Sequence, residues 1–260
     1  RLEAKFSAQS VLKLDPGLTA TLLRVANSAS YGLRSKIGST KKALHVLGTG
    51  KLRQMIVVAG VMHKFQSVPN AVAVRFWEHA LRTAECSREL GKYCKITELD
   101  DLFVCGLLHN VGEIVFRQFF PEECGRIEQT LQEKKQSQEK MSRLDAERAV
   151  MGCSHADIGG FLFHIWKLPT SAVQCAMYHH HDFQMLTHIP KLAPEVSVVH
   201  MAAMLSGVDR TLGPYDYSSA LDLIGEFYQK RMNFPRILDM NHLMALVYTV
   251  VEVQRTNLFK

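Results

Sequence analysis

Apolar residues recur at three- and four-residue intervals through nearly the whole chain, with proline, glycine and capping residues at the breaks. This periodicity constrains the fold most, because a stripe spaced for 3.6-residue turns cannot form one face of a strand. Leu18, Leu22, Leu23, Ala26 and Ala29 make the first stripe, with Asp15 placed as a cap and Pro16 in the first turn. Thr40 to Leu47 reads as a short helix stopped by Gly48, and Leu52, Met55, Ile56, Ala59 and Met62 continue beyond it. Val68-Pro69-Asn70 then interrupts as a subdomain junction. Further helices are expected over Ala71–Tyr93, Leu102–His109, from Pro121 into the polar stretch Gln132–Lys140, Ala156–Trp166, Pro169–His180 and Pro194–Leu205. Two more are expected at 218–232 and 241–256. Thr97 with Asp100, and Ser142 with Asp145, resemble capping boxes. No alternating run of strand length is bounded by turn signals, so the fold class is all-α.

Two hundred and sixty residues suffice for a sizeable core, and 47% hydrophobic with 22% charged residues is ordinary globular composition. No apolar run reaches the ~18–20 residues that cross a bilayer, and RLEAKFSAQS lacks the apolar core of a signal peptide. Without an initial Met the chain reads as a fragment of a longer protein. Cys86, Cys94, Cys105, Cys124, Cys153 and Cys175 form no CxxC pair and read as reduced thiols of a cytoplasmic protein.

Charge is unevenly placed. From Pro16 to Trp77 there is no acidic residue and there are nine basic ones, which leaves 22 basic against 25 acidic residues elsewhere. Such a segment attracts anions, with Lys41, Lys42, Lys51 and Arg53 as candidate contacts. It lacks interleaved aromatics and any base-reading motif, which disfavours nucleic acid as the partner.

Twelve histidines is a high number, and seven of them fall in five places that stand out: His79, His109 beside Asn110, His155, the run His179-His180-His181, and His200. Imidazoles bind borderline divalent metals. No pair has the i, i+4 spacing that builds a site on one helix, so any metal needs side chains converging from separate helices. Three adjacent histidines cannot all face one ion.

The order of these segments resembles the HD superfamily of metal-dependent phosphohydrolases. It is most similar to the HDOD (HD-related output) branch, through LKLDPGLTATLLRVANSASYG, IGSTKKALHVLGTGKLR, FWEHALRTA, GLLHNVGEIVF, ERAVMGCSHADIGGFLFHIWKLP and AMYHHH. The resemblance covers roughly Leu14 to Leu205. It implies a helical N-terminal subdomain (1–70), an HD-like bundle (71–210) and, beyond these, C-terminal helices (211–260). It also implies a bacterial regulatory role. By position, His79, His109, Asn110, His155, His179 and His180 fall where HD relatives place metal ligands.

The departures weaken that site. Asn110 replaces the signature Asp, Glu113 stands where a phosphodiesterase lysine is expected, and Ala203 stands where a late ligand Asp is expected. HDFQMLTHIP replaces the glycine-rich GYP signature. Glu147 and Asp182 are the carboxylates that could compensate. Asp15-Pro16, Asn27-Ser28 and Tyr31-Gly32 are read as helix starts, caps and turns, and Trp166 and Pro169 as core packing and a helix start. The expectation is a non-catalytic signalling domain acting on protein partners or a small anionic ligand, with no cofactor beyond at most a weakly held divalent metal. The alternative is a metal-dependent phosphohydrolase acting on a nucleotide or cyclic dinucleotide, and below it nucleic-acid binding by the basic segment.

Overall fold

The computed structural model describes residues 20–23, 26–27, 36–65, 70–94, 96–181, 186, 189 and 191–207. Among them every regular element is a helix: α1 Thr40–Lys64, α2 Asn70–Tyr93, α3 Leu99–Leu108, α4 Val111–Phe119, α5 Pro121–Gln136, α6 Arg143–Met151, α7 His155–Ile165, α8 Thr170–Tyr178 and α9 Pro194–Gly207. The chain divides into two compact units, one of Arg1–Gln66 with Thr249–Lys260 and one of Ser67–Tyr248. The helices expected at 218–232 and 241–256, together with Asp15, Pro16, Ser28, Tyr31 and Gly32, lie outside the described residues.

In the first unit α1 begins at Ser39, whose hydroxyl accepts from the Lys42 amide. Gly48, at φ 77, breaks its helical geometry where the sequence predicts a stop, a backbone state that glycine adopts without a Cβ penalty. Asn27 has the structural role its type suggests. Its amide donates to the carbonyls of Leu23 and Ile37 and its Oδ1 accepts from the Ile37 amide, closing the helix end onto the next segment.

In the second unit α3 is the central helix. Leu102, Phe103, Cys105, Leu107 and Leu108 bury every side of it, which is the pattern of a helix surrounded by others. It packs on α2, α8 and α9, and α9 also lies along α2. A second group, α4 with α7 and α7 with α8, joins it, and α5 with α6 forms an outer pair. Capping differs from the expectation at α3. The helix begins at Leu99 with Glu98 in the cap position and no side-chain cap bond, because the first i→i−4 bond already runs from Leu102 to Glu98. That leaves Thr97 one residue too early to cap. Ser142 does cap α6, accepting from the Asp145 amide, and Gly152 closes that helix at φ 77. A full capping box forms instead at Ser154 and Asp157.

Trp166 is not core. It is 39% exposed because α7 ends at Ile165 and Lys167, at φ 55, turns the chain away. Pro169 takes the cap position of α8, as expected of a helix start. The six cysteines are free thiols, with Cys86, Cys105 and Cys175 buried and the others half-buried.

α4 and α7 approach each other closely through Gly112. A Cβ on Gly112 would run into the His155 carbonyl and lie 3.0 Å from the Gly159 nitrogen. Both obstacles are backbone, so no rotamer change relieves them. Gly112→Ala is therefore expected to destabilise by about 3 kcal/mol, at the upper end of overpacking costs. Gly125→Ala, on exposed α5 with nothing within 4 Å of the new methyl, is expected to stabilise by roughly 0.5–1 kcal/mol. Urea denaturation of the two variants measures both, and a neutral Gly112→Ala would refute the close approach.

Candidate metal centre

Three of the histidine-bearing segments meet at helix ends, and His79 joins them from within α2. His109 terminates α3, His155 begins α7, and His179 and His180 follow α8. The rings form a contiguous chain. Centroids lie 5.5 Å apart for His79 and His109, 4.8 Å for His109 and His179, and 4.1 Å for His179 and His180. His155 lies 4.9 Å from His180 and 5.6 Å from His179. His181 turns out of this row and packs against Tyr178 at 5.2 Å, so only two of the three adjacent histidines face inward. His200 on α9 ties the group from the far side, its Nδ1 donating to the His179 carbonyl at 2.6 Å.

Hydrogen bonding fixes the tautomers. Carbonyls only accept, so His109 Nδ1 must donate to Gly106 (2.6 Å), and His179 Nδ1 to Ala176 (2.9 Å) and Cys175 (3.1 Å). His155 Nδ1 faces the Glu147 carboxylate at 2.6 Å. In the neutral rings of His109 and His179 the lone pair is thereby left on Nε2. His155 Nε2 and His180 Nε2 approach to 3.0 Å, so one of them carries the proton between them. His179 Nε2 is buried with no hydrogen-bond partner among the described residues, and so is Asn110 Oδ1. Buried orphan acceptors are costly and point to a missing cation or donor. One ligand atom each from His155, His179 and His180 lies within 4.8 Å of the others. The cluster could hold a metal ion.

The carboxylates are placed behind this row. Glu147, 1% exposed, engages His155 with Oε2 and receives Arg143 Nε on Oε1 at 3.2 Å. Glu113 accepts from Asn110 Nδ2 at 2.7 Å and from Arg117 at 2.6 and 3.0 Å. Burial works against the charge on both acids. Arg117 outweighs it for Glu113, and the hydrogen bonds from His155, with Arg143, outweigh it for Glu147, so both carboxyls sit below the usual range. Glu113 thus meets an arginine and an amide, not the open face expected for a phosphate. Asp182 lies outside the described residues, as do the side chains of Lys51 and Arg53 on α1, whereas Lys41 and Lys42 are exposed there. Ala203 is half-buried on α9, one turn beyond His200.

Arg117 and Arg143 escaped the sequence reading, although Glu113–Arg117 and Arg143–Glu147 both have the i, i+4 spacing of helical ion pairs.

A helical bundle whose helix ends gather histidines beside Asn110 is the arrangement that the resemblance to the HD type leads one to expect. The chain belongs to the HDOD domain family, whose model matches residues 6–182. It is similar to an uncharacterised protein of Treponema pallidum (strain Nichols), 27% identical over 197 residues, covering 75% of this chain and 36% of that protein. The chain therefore spans about a third of that relative's length. Among solved structures it resembles an HDOD domain protein from Geobacter sulfurreducens, at 22% identity and TM-score 0.72 over 97% of this chain and 86% of that one. A proposed phosphohydrolase from Shewanella amazonensis SB2B also matches at 22% identity and TM-score 0.72, covering 98% and 88%. At these identities the likeness is one of fold.

Burial pushes the pKa of His109 and His179 well below the ordinary value, and the neighbouring imidazoles add to it. Burial and His155 bring His180 down to about 4. Below the unfolded histidine value of about 6.5, the unfolded chain takes up protons that the folded chain refuses. The stabilisation is complete above that value and is lost as pH falls towards the folded pKa values. The metal-free protein is expected to melt several degrees lower near pH 5 than near pH 7.5, since ~1 kcal/mol corresponds to roughly 2–4 °C at this size. A flat melting temperature across that window would contradict the buried, neutral assignment.

Proposed function

We propose that the chain is a non-catalytic regulatory domain that acts through protein partners, with the histidine row as its structural and ligand-sensing centre. The observation that carries this reading is that both carboxylates beside the row are engaged elsewhere. Glu113 holds Asn110 and Glu147 holds His155, and each is neutralised by an arginine. Hydrolysis by paired divalent ions needs anionic ligands that bridge the metals and a water activated between them. Neutral imidazoles and an amide supply neither. Ala203 offers no ligand atom.

The reading as a phosphohydrolase has one observation in its favour, the orphaned Nε2 of His179 and Oδ1 of Asn110, which a cation would satisfy. A bound ion would supply Lewis-acid polarisation of a phosphoryl oxygen. This chain has Glu113 where that reaction would use a lysine, and the two carboxylates shown beside the row, Glu113 and Glu147, are both engaged. Lys41 and Lys42 remain the exposed candidates for a small anionic ligand. Lys42 already donates to the Lys36 carbonyl at 2.8 Å.

The test is turnover of bis(p-nitrophenyl) phosphate, nucleoside phosphates and cyclic dinucleotides with added manganese, iron or zinc. The expected rate equals that of the His109→Ala variant. Turnover that vanishes in His109→Ala would overturn the regulatory reading. Restoring the signature by Asn110→Asp is expected to destabilise by about 1–3 kcal/mol at neutral pH, because it sets a second carboxylate against Glu113. Adding Glu113→Gln should recover most of that loss in the same thermal melt.

A further inference from the structure

We propose that Glu147 is a positioning residue that makes His155, His179 and His180 a carboxylate-free site selective for one borderline ion of the zinc type over manganese or magnesium. The proposal deepens the reading above, in that it takes the histidine row to be the functional centre.

Glu147 Oε2 accepts from two groups of one residue, His155 Nδ1 at 2.6 Å and the His155 amide at 2.9 Å. It thereby fixes both the imidazole and the backbone that starts α7. Its other oxygen takes Arg143, so the carboxylate cannot ligate without giving up this arrangement. With Nδ1 committed as a donor, His155 has Nε2 as its only ligand atom, and Nε2 lies 3.0 Å from His180 Nε2. His179 presents its own buried Nε2 through two backbone acceptors on Nδ1. Two of the three nitrogens, those of His155 and His179, are therefore pre-oriented by hydrogen bonds from behind, the arrangement by which outer partners raise imidazole basicity and affinity, and His180 Nε2 stands 3.0 Å from the first of them.

The donor set decides the class of ion. Manganese and magnesium favour carboxylate and water oxygens, whereas imidazole favours zinc, copper and nickel. Glu113 and Glu147 are withheld from the ligand atoms, and Asn110 offers at most a neutral oxygen. Among the described residues a second divalent ion would find no unengaged carboxylate at the row to share with the first.

The full chain, stripped of metal, is titrated with zinc, cobalt, manganese and magnesium chlorides against a chromophoric chelator, and the visible spectrum of the cobalt form is recorded. One equivalent of zinc is expected to bind at least about 100-fold tighter than manganese, as the affinity order of divalent metals for nitrogen sites requires. Glu147→Ala should weaken zinc by about 10–100-fold and shift the cobalt bands. Glu147→Gln, which keeps an acceptor for His155 Nδ1, should recover part of both. Because Glu147→Ala could fail to fold, exposed His180→Ala provides a second arm and should lose zinc with the melting curve in manganese-free buffer unchanged. Zinc and manganese affinities within tenfold, zinc binding unaltered in folded Glu147 and His180 variants, or no zinc bound by the folded wild type would each overturn the proposal. Phosphoester turnover on the same samples separates the two readings. Turnover with zinc selectivity intact sinks the regulatory reading alone, and absent zinc binding without turnover sinks this one alone.

Discussion

The backbone contact between Gly112 and His155 sets the dimensions of everything around it. Where α4 and α7 cross, no side chain intervenes, so the turn carrying His109 and Asn110 is brought beside the residue that opens α7. Helices that touch through glycine lie closer than the usual 8–10 Å of side-chain packing. The histidines at their ends therefore belong to one cluster instead of two surfaces. Gly106 repeats the device between α3 and α2, where an added methyl would meet Ser87 and the backbone of Ala84. Its carbonyl also receives His109 Nδ1. Glycine thus does two things here: it lets helices approach, and it leaves a carbonyl within reach of a buried ring.

Once the rings are together, electrostatics decides what they can be. Four imidazoles within about one ring's width of one another cannot all be protonated, since each charge in a low-dielectric site raises the cost of the next. Burial alone already favours the neutral form of His109 and His179. Each of these two rings gives Nδ1 to a backbone carbonyl and turns Nε2 inward. The acids beside them would favour protonated imidazoles if they were unscreened. Arg117 and Arg143 prevent this by drawing Glu113 and Glu147 into a bridged set in which Arg143 also comes within 3.9 Å of Glu113. The result is a row of imidazole donors flanked by a charge-balanced layer.

Helix existence was legible in the sequence because it depends on local period, and the stripe Leu52, Met55, Ala59 is buried as its spacing requires. Caps were legible where the polar residue directly precedes the helix, as at Ser142. They were misread at Thr97, where one residue of register decides the outcome. Trp166 shows the same limit, since composition marks it as core and only the turn at Lys167 reveals that it lies at an edge. The histidine candidates came from family resemblance, because convergence of residues 109, 155 and 179 is a tertiary fact that no spacing encodes. What spacing did encode, and went unread, was the pair of i, i+4 acid–arginine couples that hold the site.

Asn110 and Glu113 are best understood as one change. An asparagine in place of a signature Asp leaves an amide donor that needs an acceptor, and in a buried position that need costs roughly 1–3 kcal/mol if unmet. Glu113 meets it from the next turn, and Arg117 one turn further on carries the compensating charge. Each residue makes sense only with the next: Glu113 beside an Asp would be repulsive, and Arg117 without Glu113 would lose its partner. Because all three lie on α4 or at its start, the sequence N-V-G-E-I-V-F-R contains the whole relay. The relay keeps the Asn110 amide fixed, with Oδ1 buried and without a hydrogen-bond partner among the described residues.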